Sequence, residues 1–96
     1  MAGFYDSIND LEAGIKDGSI KVEVTNDGLR LSGRTFDLKD FLKREYGARW
    51  NRDRRSWDVT VPEYAYGADG KPSSGMGKYA GLAEMAGIEA DWATGR

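Results

Sequence analysis

The sequence contains no cysteine and no histidine. Without cysteine there is no disulfide framework, no thiolate nucleophile and no cysteine-ligated zinc or iron–sulfur site. Without histidine, the commonest general base and the commonest transition-metal ligand are both missing. No apolar run approaches the length that spans a bilayer, so no membrane partner is expected. The first twenty residues do not read as a secretory signal, because Asp6, Asp10 and Glu12 stand where basic and apolar regions belong. These absences predict a soluble, cytoplasmic protein.

Catalysis would have to rest on Asp, Glu, Ser, Lys or Tyr. Asp6/Asp10 and Asp37/Asp40 are carboxylate pairs at helical spacing, and capping and the helix dipole account for both. Glycoside or phosphoryl chemistry needs a deep cleft around such a pair, which 96 residues with no large insertion are not expected to build. The glycine-rich stretch after residue 66 lacks the strand–Gly-Lys-Ser/Thr–helix order of a phosphate loop. The expectation is a non-enzyme with no cofactor and no metal.

What is present suits one small globular domain: 96 residues with three tryptophans, five tyrosines and three phenylalanines. The net charge is −2, and it is unevenly spread. Arg34 to Arg55 holds eight basic residues against four acidic ones, whereas residues 1–33 and 56–96 each hold three basic against six acidic. An acidic chain with one basic middle segment can present a localised positive patch. The alternative is a solvated helix face beside a charged hairpin tip.

Phe4, Ile8, Leu11 and Ile15 form one stripe at helical spacing, which predicts a first helix over Gly3 to Lys16 stopped by Gly18. Ser19 to Thr25 alternates, with Ile20, Val22 and Val24 on one side. Asn26-Asp27-Gly28 then predicts a tight turn with positive φ, and Leu29 and Leu31 a return strand. The hairpin is expected across residues 19–36, bent at Gly33. Asp37 suits an N-cap for a second helix whose core stripe is Leu38, Phe41, Leu42 and Tyr46, with Gly47 at its C-terminus. Lys39, Lys43 and Arg44 take its other side.

Gly47 to Val61 holds two of the tryptophans and four arginines. Ala48 to Trp50 and Ser56 to Val61 read as strands. A four-residue loop, Arg52 to Arg55, would set Trp50 directly opposite Trp57. Pro62 ends the second strand, since it cannot donate to a ladder. Residues 63–75 read as a flexible loop, its start anchored by Tyr64 and Tyr66. Residues 76–91 read as a C-terminal helix despite Gly77, Gly81 and Gly87, with Trp92 as an apolar handle beyond. The predicted fold is α+β: a small α-β-β-α-β-β-α domain with an antiparallel or mixed sheet and helices on one face. The core spans about residues 3–62 of a single domain, 1–96.

Gly47-Ala48-Arg49-Trp50-Asn51, then Arg54-Arg55, then Trp57, resembles a small module of plasmid and phage antirestriction and primase-related proteins, similar to the HARP domain of annealing helicases. The resemblance covers residues 34–61. Arg52 stands where that family often has proline, and Asp58 where an aromatic is frequent. The resemblance implies a nucleic-acid-associated setting, often in mobile elements, with forked or single-stranded DNA as ligand in the helicase version. It implies no catalytic residue.

Two functions follow as expectations. One is a nucleic-acid-binding protein of phage or plasmid type acting in the host cytoplasm. Its Arg49, Arg52, Arg54 and Arg55, with Lys39, Lys43 and Arg44, would meet phosphates, and an exposed Trp50 or Trp57 would stack a base. For Trp50 and Trp57 the alternative is core packing. The other is a phage- or plasmid-encoded inhibitor of the anti-CRISPR or antirestriction kind, binding a host nucleic-acid-processing complex. Arg and Trp dominate protein hot spots as well, so the same stretch serves both.

Overall fold

The computed structural model describes residues 4–94. Helix α1 spans Phe4–Asp17, strands β1 and β2 span Ile20–Val24 and Gly28–Gly33, and helix α2 spans Lys39–Tyr46. Strands β3 and β4 span Arg49–Asn51 and Ser56–Thr60, and helices α3 and α4 span Gly77–Met85 and Asp91–Thr94. Gly3, expected to open the first helix, lies outside the described residues, as does the side chain of Phe4.

The four strands form one sheet in the order β1-β2-β4-β3, with every neighbouring pair antiparallel. The expected α+β architecture is therefore present. Alternation gives the sheet two unlike faces. Ile20, Val22, Leu29, Leu31, Trp57 and Val59 turn towards the helices and join Leu11, Leu38, Phe41, Leu42 and Leu82 in one core. On the opposite face Glu23, Arg30, Asp58 and Arg49 lie side by side across the four strands, with alternating charge.

Gly14 has a packing role despite its cost to helix stability. A methyl group there would overlap the side chain of Ile20, so glycine lets α1 sit tightly on β1. At the end of α2, Gly47 adopts φ +62°, and the N–H groups of Gly47 and Ala48 donate to the carbonyls of Lys43 and Leu42 at 3.0 and 3.2 Å. These bonds satisfy the last carbonyls of the helix, as expected of a glycine stop.

Several expectations are corrected. None of Asn26, Asp27 and Gly28 has positive φ. The turn closes with Thr25 N–H donating to the Gly28 carbonyl at 2.9 Å. Gly28 is needed for another reason, since a methyl group there would overlap the backbone carbonyl of Val59 on the neighbouring strand. Asp37 does not cap α2: a turn of 3-10 helix, Phe36–Leu38, precedes it, and Leu38 takes the cap position with no side-chain bond. Gly33, with φ +97°, provides the expected bend, but β2 stops there, so Thr35 and Phe36 belong to the lead-in to α2.

The stretch expected to be a flexible loop carries two more 3-10 turns, Glu63–Ala65 and Ser74–Met76, and a bridge between Tyr66 and Pro72. Ser73 N–H donates to the Ala65 carbonyl and Ser73 Oγ to that of Tyr64. Fully buried Ala65 and half-buried Tyr66, which packs against the core as expected, anchor its start, while Tyr64 is exposed. The C-terminal helix is shorter than expected. Gly87, with φ +69°, ends it soon after Met85. Trp92, on α4, is buried and donates its Nε1–H to the Thr25 carbonyl at 3.1 Å, pinning the end of the chain to the first hairpin. Among the described residues no helix is long and apolar enough to cross a membrane.

Candidate functional site

The β3–β4 hairpin has the register its sequence predicts. Trp50 lies opposite Trp57 and Asn51 opposite Ser56, so residues 52–55 form a four-residue loop. The indole rings meet edge to face, with centroids 5.2 Å apart and planes at 61°. The two tryptophans differ in exposure. Trp57, on an inner strand, is 6% exposed, whereas Trp50, on the edge strand, is 50% exposed. Core packing thus accounts for Trp57 and only half of Trp50.

An open groove of about 420 Å³ runs beside this pair, lined by Gly33, Thr35, Phe36, Lys39, Lys43, Trp50 and Trp57. Phe36 is 75% exposed. Phe36, Lys39 and Lys43 fall at i, i+3 and i+7 through the 3-10 turn and α2, which puts them on one side while Leu38, Phe41 and Leu42 face the core. The Lys39 ammonium stands 4.6 Å from the Phe36 ring centroid and that of Lys43 5.6 Å from the Trp57 centroid, both within cation–π range. Among the described residues no carboxylate lines the groove.

The other expected binding residues are distributed differently. Arg52, Arg54 and Arg55 are exposed in the hairpin turn. Arg44 is exposed on α2 outside the groove lining, and its Nε lies 3.6 Å from Glu45. Arg49 takes the opposite face of the sheet, where it pairs in register with Asp58 and lines a separate depression with Thr60 and Pro62. Lys39, Lys43 and Trp50 are therefore brought together, and Arg44 and Arg49 are not with them.

The turn is held by Asn51 and Asp58, which the sequence marked only as positions of the resemblance and gave no role in the site. Asn51 Oδ1 accepts the Arg54 N–H at 3.1 Å, and Asn51 Nδ2 donates to Asp58 Oδ2 at 3.0 Å. Asp58 Oδ1 accepts from Arg30 Nε at 3.1 Å. Burial pushes the Asp58 carboxyl up. The hydrogen bonds from Asn51 and Arg30 and the charges of Arg30 and Arg54 together outweigh it, so the group titrates below the usual aspartate range. Arg55 closes the turn at φ +49°, a left-handed conformation taken by no other non-glycine among the described residues. Phe36 was legible in principle, because its spacing to Lys39 and Lys43 opposes the core stripe. The pairing of Asn51 with Asp58 could be found only from the strand register.

Among the described residues there is no group of three or more Asp or Glu side chains able to hold a metal ion. No protein-family model matches the chain, and comparison with curated proteins and with solved structures found no match.

Proposed function

We propose that the protein is a small non-enzymatic module that binds single-stranded nucleic acid, or the unpaired arm of a fork, through this groove. The observation that carries the reading is an open aromatic groove, with Phe36 and Trp50 exposed, bordered by Lys39 and Lys43 and, among the described residues, free of lining carboxylates. Exposed aromatic faces give a base somewhere to stack, and flanking cations neutralise its phosphates. The bases of a duplex are already stacked and do not offer their faces, so unpaired strands are favoured. The same lysines disfavour a cationic ligand, for which aromatic rings alone would serve. Arg52, Arg54 and Arg55 extend the phosphate-binding surface along the hairpin turn. The resemblance of residues 34–61 to modules of phage and plasmid proteins accords with this reading and suggests the same setting. With a net charge of −2, binding is expected to be local to the basic segment and steeply salt-dependent.

The test is a titration of labelled single-stranded, forked and duplex oligonucleotides, read by fluorescence anisotropy at two salt concentrations. Single strands should bind more tightly than duplex. Trp50→Ala should cost about 1–3 kcal/mol of binding. Joint replacement of Arg52, Arg54 and Arg55 by alanine should flatten the logarithmic salt slope by about 2. No binding of any oligonucleotide at low salt sinks the reading. An inhibitor that docks the same aromatic and basic residues on a nucleic-acid-processing complex would then take its place.

A further inference from the structure

The hairpin turn carries three exposed arginines, yet the group that orders it lies on the far face of the sheet. We propose that Asp58 is a positioning residue that acts through Asn51 to hold the arginine turn in its binding conformation. The inference rests on the reading above for its ligand but has a ligand-free readout of its own.

The chain of bonds has a defined polarity. An ionised carboxylate only accepts. Asp58 therefore turns the amide nitrogen of Asn51 towards itself, at 3.0 Å. The amide oxygen must then face the other way, where it accepts the Arg54 N–H at 3.1 Å. Arg30, at 3.1 Å on the other carboxylate oxygen, holds Asp58 in place. Asn51 also ends β3, opposite Ser56, so the bond to Arg54 spans the start of the turn.

Asp58→Asn reverses this polarity. The new amide must keep its oxygen on Arg30 and so presents its nitrogen to Asn51. Asn51 must answer with its oxygen, which leaves its NH₂ against the Arg54 N–H, donor facing donor. The exchange Asn51→Asp with Asp58→Asn removes the conflict. The carboxylate now at position 51 accepts from both Arg54 N–H and the amide at position 58, and the net charge of the protein is unchanged.

The sign of the binding effect separates positioning from bulk charge. Removing one negative charge beside a phosphate-binding surface should by itself tighten nucleic-acid binding. If Asp58 positions the turn, Asp58→Asn instead weakens binding of a single-stranded oligonucleotide, and the salt slope flattens by about 0.7 for each arginine lost from contact. The double exchange restores both. Hydrogen exchange of the Arg54 amide, followed by NMR without ligand, should quicken in Asp58→Asn and return to the wild-type rate in the double exchange. Tighter binding by Asp58→Asn, no recovery in the double exchange, or an Arg54 amide unchanged in Asp58→Asn would each overturn the inference. If the wild type binds no oligonucleotide, the proposed function fails, and the Arg54 amide alone decides whether Asp58 orders the turn.

Discussion

Trp50 and Trp57 are the same residue on facing strands, but they should respond to alanine substitution in different ways. A fully buried aromatic removes about 150–250 Å² from water. Trp57, 6% exposed, has nearly all of that at stake, together with a cavity on the core face of the sheet between Leu31 and Trp50, its partners on β2 and β3. Trp57→Ala should cost about 3–5 kcal/mol, the usual range for deleting a core aromatic. A domain of this size has a total stability of only about 5–14 kcal/mol, so Trp57→Ala approaches unfolding. Trp50, 50% exposed, keeps about half of its surface in water. At about 25 cal/mol per Å² its buried half is worth about 2–3 kcal/mol, and alanine retains part of it. The edge-to-face contact with Trp57 adds about 0.5–1.5 kcal/mol. Trp50→Ala should therefore cost about 1–3 kcal/mol of stability and leave a folded protein with weakened nucleic-acid binding. Urea unfolding followed by far-UV circular dichroism measures the first quantity, and anisotropy of a labelled single strand the second. Equal destabilisation by the two substitutions would refute the reasoning and return Trp50 to the core. Undiminished binding by folded Trp50→Ala would remove the stacking role.

Gly28→Ala should destabilise by about 1–3 kcal/mol in the same urea assay, because the methyl group meets the Val59 carbonyl and the β2–β4 pairing must shift. Arg55→Gly should leave stability unchanged or raise it by up to about 1 kcal/mol, since glycine accepts the left-handed conformation freely, whereas Arg55→Val should lower it by about 1–2 kcal/mol. Loss of equal stability in both would contradict that assignment. Burial first, then the Tyr64 hydroxyl 3.4 Å away and the neighbouring Tyr64 and Tyr46 groups, pushes the Tyr79 phenol up to about 12. A raised folded-state value favours the protonated form, so this stability is fully present below pH 10 and is lost as pH rises through about 12. The loss is at most about 3 kcal/mol. Tyr79→Phe should flatten urea-derived stability across that window; a wild-type slope in the variant would place the alkaline transition elsewhere.

The sheet and helices were largely legible in the chain, because each is written in local periodicity. Alternation around Val22, Leu31 and Val59 and the helical stripes at Leu11 and at Leu38, Phe41 and Leu42 require only that apolar side chains share a side. The spacing from Trp50 to Trp57 pointed to the hairpin register that the strands adopt, since a loop of any other length would separate the rings. Turn chemistry was read less well. Asp27-Gly28 suggested a positive-φ turn, but the glycine serves a close approach between strands that are not yet paired when the sequence is read alone. Asp37 lost the cap position for a comparable reason: burial of Leu38 and Thr35 tightened the lead-in into a 3-10 turn.

The candidate site divides along the same line. Residue types and their density came from the sequence: the basic segment between Arg34 and Arg55, and a tryptophan pair with Trp50 inside that segment and Trp57 just beyond it. Only the tertiary structure decided which of these residues stand together. Side chains alternate across a sheet, so adjacent Arg49 and Trp50 went to opposite faces. Strand order then made Trp57 an inner residue and Trp50 an edge one. The helix packed on the sheet brought Phe36, Lys39 and Lys43 to the exposed indole and left Arg44 outside. Strand pairing also carried Asp58 to within hydrogen-bond reach of Asn51 and Arg30, linking residues far apart in the chain through bonds that no local pattern encodes.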